Sequence, residues 1–208
     1  MEPRTMWPGA LWRNCQRASQ AFGLSVALSL GFVPSLAQAQ SESVSFQRDA
    51  DGYVGVADTY LHEGFSPRGA LERLYWDQTP PRSSLLRFGD LFSGEGGPIP
   101  EGSQITLAEL DYTAFHNGHT SNVYVVSHSW VEATATFENF GATPGAQAGE
   151  DYVASLIAEA PAVVGSIGTN TPYTIDVTSA GELWAADPAS NYGLIFVATG
   201  PSGAEIRS

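Results

Sequence analysis

The side chains that nucleophilic enzymes use are scarce in this chain. It has one cysteine, Cys15, no lysine, and no Gly-x-Ser-x-Gly sequence of the kind that presents a nucleophilic serine. Of the four histidines, His116 and His119 flank an Asn-Gly pair, whereas His62 and His128 stand apart. Two histidines three residues apart on a turn can reach one metal ion, and exposed turn histidines without a ligand are the alternative. The sequence therefore predicts that the protein is not an enzyme.

Oxygen ligands for a hard cation are abundant, because the chain contains 22 aspartates and glutamates. Calcium binds several carboxylate and carbonyl oxygens at once. Asp58, Asp90 and Asn191 stand at predicted strand ends or loops that can converge, so they are the candidate ligands of a structural calcium ion. No EF-hand loop is present, and a solvated acidic surface is the alternative for most of the carboxylates.

Aromatic rings and arginine are the candidate ligand-binding residues, because flat rings stack on the apolar faces of sugars. Tyr75 and Trp76 end a predicted strand just before a Thr-Pro-Pro loop, which predicts an exposed Trp76 that serves as a binding platform. Arg87 can grip a uronate carboxylate through two parallel hydrogen bonds, and a structural ion pair is its alternative. Trp130 and Trp184 are expected in the core instead.

The first 39 residues have the features of a secretory signal peptide. Three arginines precede or border an apolar run over residues 21–33, and Ala37-Gln38-Ala39 supplies a small-x-small cleavage site. The run is too short to span a bilayer, so we expect a secreted protein without a membrane span, a retained anchor being the alternative. The mature chain is then a single domain over residues 40–208.

The charge balance excludes one class of partner. The chain has nine arginines and 22 acidic residues, a formal charge of −13. Removal of residues 1–39 takes away three arginines and one glutamate, which leaves six arginines, 21 acidic residues and a formal charge of −15. Nucleic-acid binding needs a basic face that displaces counterions from phosphates. The sequence therefore predicts no nucleic-acid partner.

Short strands separated by glycine and proline dominate the predicted secondary structure. Residues 106–114 alternate between two faces, as is typical of a half-buried antiparallel strand. The Asn-Gly pair that follows predicts a hairpin with residues 122–127 as the return strand. Residues 194–197 are apolar throughout, which predicts a strand covered on both faces. Strand composition marks seven segments, at 53–61, 71–76, 84–88, 104–115, 122–130, 173–177 and 192–199.

The other predicted elements are few. A short helix is expected over residues 179–186, where Ser179-x-x-Glu182 matches a capping box. Long loops are expected at 140–149 and 158–171. Seven or more short strands with turns between them predict an all-β fold, an antiparallel β-sandwich.

Several stretches resemble the secreted DNRLRE module, which is grouped with carbohydrate-binding modules and is related to disaggregatase repeats. The matching pieces are Ala57–Leu61, Leu85–Phe88, Ile99–Ile105, Val123–Val126 with Ser129–Glu132, Asp176–Thr178 with Trp184, and Asn191–Leu194. The resemblance covers residues 56–208. It implies a jelly-roll-like β-sandwich of the kind that is appended to secreted enzymes such as phosphatases and polysaccharide lyases, and that in some cases binds polysaccharide.

Two departures from that family pattern are visible. Gly89 stands where members carry an aspartate directly after the Leu-Arg-Phe piece, and Asp90 follows one step later. The chain also stops at Glu205–Ser208, where members continue into a further strand, so we expect a missing C-terminal strand and a possible fused or downstream enzyme domain. The predicted function is a non-catalytic module that binds extracellular polysaccharide or displays partner domains. A purely structural surface module, or a fragment of a larger secreted phosphatase or lyase, is the alternative.

Overall fold

The computed structural model describes residues 11–13, 17–18, 41–164 and 170–207. The predicted signal peptide lies almost wholly outside these residues, so it stays a prediction, and part of the predicted loop at 158–171 lies outside them too. Within the described ranges, no helix combines the length and the apolar character needed to cross a membrane.

Twelve strands, one α-helix, α1 (Thr178–Ala186), and two 3₁₀ turns, Ser93–Glu95 and Pro188–Ser190, form the regular structure of the described residues. This confirms the prediction of an all-β fold with one short helix, and each of the seven predicted strand segments overlaps an observed strand. The strands are β1 (Leu11–Arg13), β2 (Arg17–Ala18), β3 (Val56–His62), β4 (Arg73–Gln78), β5 (Pro81–Phe88), β6 (Gln104–Ile105), β7 (Glu109–His116), β8 (Ser121–Val125), β9 (Ala158–Ala160), β10 (Thr171–Asp176), β11 (Leu194–Ala198) and β12 (Ala204–Arg207).

Ten of the strands that the structure describes form one hydrogen-bonded antiparallel sheet that folds over on itself. The first layer has the order β3-β5-β11-β8-β9, and the second has the order β10-β7-β12-β4, with β1 also paired with β7. The hairpin between β4 and β5 joins the two layers, and β2 pairs separately with β6. The result is a β-sandwich whose sheet nearly closes into a barrel, with the core between the layers.

Aromatic side chains connect the two layers across the core. The Trp76 ring of β4 stacks on the Phe196 ring of β11 with 5.4 Å between centroids and 14° between planes. Tyr112 of β7 meets both rings edge-on, each at 6.5 Å. The alternation predicted for residues 106–114 is confirmed where it forms β7, because every second side chain from Leu110 is buried. Burial of these large rings supplies much of the hydrophobic stabilisation.

Strand β11 is covered on both faces, as its continuous apolar sequence predicts. Phe196 faces the core between the layers, whereas Ile195 packs in a second apolar cluster on the outer face. The segment at 127–157 covers that outer face with Trp130 and Phe140, which are both 6% exposed. Trp130 and Trp184 are buried, so their predicted place in the core is confirmed.

The predicted hairpin at the Asn-Gly pair is wrong. β7 lies in the second layer and β8 in the first, so the two strands do not pair. A two-residue type I′ turn needs positive φ at both central residues, and neither Asn117 nor Gly118 has it. Gly118 instead allows a close approach, since a Cβ there would lie 2.3 Å from the backbone carbon of Gly203. The segment crosses from one layer to the other.

The predicted helix is confirmed, but its N-terminus is not held by the predicted capping box. Helix α1 has no side-chain hydrogen bond from its N-cap residue, Val177. Instead the Thr178 backbone N–H donates to Asp176 Oδ1 at 2.8 Å, and the Ala108 backbone N–H donates to Thr178 Oγ1 at 3.0 Å. The hydrogen bonds from Thr178 lower the pKa of Asp176. These bonds attach the start of the helix to the residues that precede β7.

The last described residues form a strand that sequence reasoning missed. β12 pairs with β4 on one side and with β7 on the other, so it lies inside the second layer. Ala204 and Ile206 are completely buried. Residues 204–207, expected at the end of an incomplete module, are therefore part of the sandwich, and a further strand beyond them stays a prediction. Residues 158–160, expected in a loop, form β9 at the edge of the first layer.

The prediction that Trp76 is exposed is wrong. Its side chain is 0% exposed, and its Nε1 donates to the His119 carbonyl oxygen at 3.2 Å. Leu74 and Trp76 share the inward face of β4 because strand side chains alternate. The neighbouring Pro-Pro loop therefore does not decide where this ring points.

Replacement of Trp76 tests its place in the core. We expect Trp76→Ala to lower the free energy of unfolding by about 3–5 kcal/mol, because it leaves a cavity between the layers. Leu183→Ala is the control, since Leu183 is 50% exposed on α1, and its effect should stay within about 0.5 kcal/mol. Urea denaturation followed by far-ultraviolet circular dichroism measures both. Equal midpoints for Trp76→Ala and the parent would contradict the packing described here.

Candidate functional site

The C-terminal end of β5 meets the beginnings of β3 and β11. Because these strands are antiparallel, Val56 near the start of β3 pairs with Phe88, and Leu194 at the start of β11 pairs with Leu86. The residues just outside the three strand ends therefore come together. This topology brings Arg87, Asp90 and Asn191 to one place, although 104 residues of chain separate the first and the last of them.

These segments enclose a mainly polar cleft of about 400 Å³, which we call the β5-end cleft. Its volume lies within the range of about 300–1,000 Å³ that is typical of small-molecule sites. Its lining residues are 54–57, Arg87, Gly89, Asp90, Glu95 and Asn191. The cleft thus contains three of the six predicted site residues, together with Glu95, which the sequence analysis missed.

Arg87 supplies the cationic group of the β5-end cleft. Its guanidinium carbon lies 5.7 Å from the centroid of the Trp130 ring, and its side chain is half-buried. Within the described part of the chain, no carboxylate oxygen lies within 4 Å of this guanidinium, and Nε is buried without an acceptor. The structural ion pair considered for Arg87 is therefore absent among these residues. The guanidinium therefore has hydrogen-bonding capacity that the described residues do not use.

Asn191 supplies a buried acceptor. Its side chain is 8% exposed, and its Nδ2 donates to the Phe88 carbonyl oxygen at 2.7 Å. Since a carbonyl can only accept, this bond fixes the orientation of the amide. Its Oδ1 is buried and has no donor among the described residues. An unsatisfied buried acceptor costs about 1–3 kcal/mol, so the site gains free energy from a ligand or water that donates to Oδ1.

A tightly held loop carries the two carboxylates of the cleft. Leu91, Phe92 and Ile99 are each 0% exposed and anchor the loop in the core. The Ile99 backbone N–H donates to the Leu91 carbonyl at 3.0 Å and closes the loop. Asp90 has a φ of 51°, a left-handed conformation that aspartate adopts more often than most residues. Asp90 and Glu95 are exposed, but their backbone positions are fixed by these anchors.

The charged groups of the cleft influence one another. Burial raises the pKa of Glu95 and the Asp90 carboxylate raises it further, whereas backbone hydrogen bonds from Phe92 and Leu91 and the Arg87 guanidinium oppose this rise. Burial also raises the pKa of Tyr53, whose hydroxyl donates to a main-chain carbonyl of the cleft at 2.6 Å. The charged groups of Arg87, Asp90 and Glu95 are therefore close enough to interact electrostatically within the β5-end cleft. The Gly-Glu-Gly-Gly sequence at 94–97 was the signal that predicts a tight loop here.

The three predicted calcium ligands do not come together. Asp90 and Asn191 share the cleft, but Asp58 is 1% exposed and lies 2.5 Å from the Arg48 guanidinium. The described ranges contain no group of three or more His, Cys, Asp or Glu placed to hold a metal ion. Arg87 adds a positive charge that disfavours a cation in the cleft. Calcium binding stays a prediction, and this arrangement gives it little support.

Tyr75 lies outside the β5-end cleft, in a cluster of stacked rings and arginines. The Arg82 guanidinium lies 4.2 Å from the centroid of the Tyr75 ring. In the same cluster, the His62 ring stacks on Phe65 at 3.9 Å, and the Arg68 guanidinium lies 4.4 Å from the Phe65 ring. These contacts occupy the ring of Tyr75 within the protein, so its role in ligand binding stays a prediction.

The His62 cluster predicts a pH-dependent stability. Burial lowers the pKa of His62, and Arg82 and Arg68 lower it further, while Asp77 and Glu138 oppose them. Unfolded His62 takes up a proton near pH 6.5, before the folded state does, so stability falls as pH decreases below about 6.5.

Urea denaturation at pH 7.5 and pH 5.0 tests this expectation. The loss of stability at pH 5.0 should be smaller in His62→Gln than in the parent, and His116→Gln should behave like the parent. An equal loss in the parent and in His62→Gln would show that other groups cause the pH dependence.

The other three histidines make polar contacts within the protein. His116 Nδ1 lies 2.9 Å from the carbonyl oxygen of the next residue, and His119 Nδ1 lies within 3.2 Å of Ser202 main-chain atoms. His128 contacts the Asp151 carboxylate at 3.1 Å through Nε2 and the Ser129 carbonyl at 3.2 Å through Nδ1. Each ring nitrogen of His128 therefore faces an oxygen atom of the protein, and neither contacts a serine hydroxyl among the described residues.

A second depression, of about 550 Å³, lies between the edges of β9 and β10. Three of its polar side chains already have partners: Thr174 donates to Asp111, while Asp176 and Thr178 take part in the hydrogen bonds at the start of α1. Its other two, Glu159 and Ser179, are exposed to solvent. None of the described polar side-chain atoms that line this depression is buried without a partner, whereas Arg87 Nε and Asn191 Oδ1 of the β5-end cleft are. The cleft is therefore the stronger candidate site.

Comparisons with protein-family models and with curated protein sequences find no match to this chain. The resemblance to the DNRLRE module stays a prediction. We therefore infer function from the geometry and chemistry of the β5-end cleft.

Proposed function

We propose that this protein is a secreted, non-catalytic module that binds polysaccharide in the β5-end cleft. The observation that carries the proposal is the pairing of unsatisfied groups in one cleft. The Arg87 guanidinium has no carboxylate within 4 Å among the described residues, and Asn191 Oδ1 is buried without a donor. A ligand that accepts from the first and donates to the second satisfies both.

Sugar hydroxyls have this dual character, because each can donate one hydrogen bond and accept others. In the cleft, Arg87 can only donate, whereas Asp90, Glu95 and Asn191 Oδ1 offer acceptors. Neighbouring hydroxyls of one sugar ring can engage both kinds of group at once. The rigid loop and strand ends that carry these side chains reduce the entropy lost on binding.

The lack of nucleophile motifs in the sequence and the contacts of His128 support binding without catalysis. The chain lacks a nucleophilic serine motif and lysine, and its one cysteine precedes the predicted cleavage site. His128 has acceptors at both ring nitrogens. The predicted signal peptide supports an extracellular location, where polysaccharides are the abundant polyhydroxylated ligands.

Arg87→Met tests the proposal most selectively. Methionine preserves an apolar stem beside Trp130 but removes all five N–H donors, so the fold should persist while binding weakens by at least about tenfold. Arg73→Met is the matched control, because Arg73 lies on β4 and pairs with Glu205 at 3.1 Å, outside the cleft. Both variants lose one positive charge.

A glycan array and affinity electrophoresis of the chain from Gln40 onward measure the binding. We expect the parent and Arg73→Met to bind the same polysaccharide equally, and Arg87→Met to bind it weakly. If the parent binds no polysaccharide, the purely structural role is favoured and the proposal is wrong. Turnover of a bound polysaccharide by the purified parent would contradict the non-catalytic role.

A further inference from the structure

We infer that the β5-end cleft selects neutral sugars and rejects uronates, and that Asp90 and Glu95 are the residues that determine this specificity. The inference rests on the proposed function and names the ligand class of the same site. It differs from the expectation that Arg87 recognises a uronate carboxylate. That expectation considers the arginine alone, whereas the structure places two carboxylates in its cleft.

The balance of hydrogen-bonding groups favours a ligand that donates. Asp90, Glu95 and Asn191 Oδ1 offer three acceptor groups, and Arg87 is the one cationic donor of the described lining. Hydroxyls of a neutral sugar can donate to the three acceptors. An ionised uronate carboxylate can only accept, so it competes for Arg87 and adds no donor for the three acceptors.

The balance of charge acts in the same direction. One arginine and two ionised carboxylates give the cleft side chains a formal charge of −1, and the mature chain has a formal charge of −15. A uronate in the cleft therefore meets a net repulsion. The effect of Asp90 on the pKa of Glu95 supports the proximity of the two carboxylates.

The loop that carries the two carboxylates is held in place, so the backbone positions of Asp90 and Glu95 beside the cleft are fixed. Leu91, Phe92 and Ile99 anchor it in the core. Gly97 packs so closely that a Cβ there would lie 2.1 Å from the Asp90 carbonyl oxygen. The selectivity is therefore built into the fold around the cleft.

The experiment compares neutral and uronate polymers on the same protein. The probes are xyloglucan and galactomannan as neutral polymers and polygalacturonate as the uronate polymer, at low and high salt. We expect the parent to bind a neutral polymer at least about tenfold more tightly than polygalacturonate at low salt, with a smaller difference at high salt because salt screens the repulsion.

The double variant Asp90→Asn/Glu95→Gln removes both charges and preserves the side-chain sizes. It should bind polygalacturonate about tenfold more tightly than the parent at low salt, because the repulsion is gone. Glu150→Gln/Glu182→Gln is the control, since it makes the same change of charge at two exposed residues outside the cleft. That control should bind polygalacturonate within about twofold of the parent. The single variant Asp90→Asn provides the same test if the double variant unfolds, because asparagine also tolerates a positive φ.

The outcomes separate the inference from the proposed function. If the parent binds polygalacturonate as tightly as the neutral polymers, the inference is wrong and the proposed function stands. If the control gains as much affinity for polygalacturonate as the double variant, the overall charge and not the cleft determines the selectivity, and the inference is wrong. If the parent binds none of the three polymers and no glycan on the array, the proposed function fails and the inference fails with it.

Discussion

Burial of both faces of β11 is the constraint on which the rest of the structure depends. Phe196 on one face holds Trp76 and Tyr112 of the second layer, and Ile195 on the other face holds the covering segment at 127–157. A strand with apolar side chains on both faces is stable only when two layers cover it. This requirement holds together the two layers of the sandwich and keeps the segment at 127–157 packed on the outer face.

The position of β11 also creates the cleft. Gly193 has a φ of 88° and lies so close to β5 that a Cβ would come within 2.4 Å of the Leu86 carbonyl oxygen. This close approach sets Asn191 against Phe88, where its amide bonds to the end of β5. The hydrogen bond that completes the strand junction therefore also leaves the amide oxygen unsatisfied. Packing of the core and chemistry of the site have one structural cause.

Sequence reasoning recovered the elements with strong local patterns. The alternation in β7 and the apolar run of β11 were sufficient, because each pattern is set by the burial of that strand alone. Pairing was harder, since the Asn-Gly pair is typical of hairpins but Gly118 is required here for a contact with Gly203. The burial of Trp76 was predictable from its alternation with Leu74, and the neighbouring prolines concealed that signal.

Part of the site was predictable because three of its residues lie at or near strand ends. Arg87, Asp90 and Asn191 lie at strand ends, and the topology gathers strand ends. Asp58 lies within β3 and faces Arg48, so its position near a strand end in the sequence did not indicate its partner. The place of Glu95 in the cleft could be found only from the three-dimensional path of its loop. Local patterns predict which residues are buried, whereas the meeting of distant residues depends on strand order.

Nuclear magnetic resonance of the ¹⁵N-labelled chain from Gln40 onward tests the central claim directly, with a neutral oligosaccharide that the glycan array selects. The account predicts that the backbone amide signals of Gly89 and Asp90 and the side-chain amide signals of Asn191 move and saturate together as the sugar is added. Signals around Tyr75 and between β9 and β10 should stay in place. Movement confined to either of those regions, with the signals of the β5-end cleft unchanged, would contradict the account.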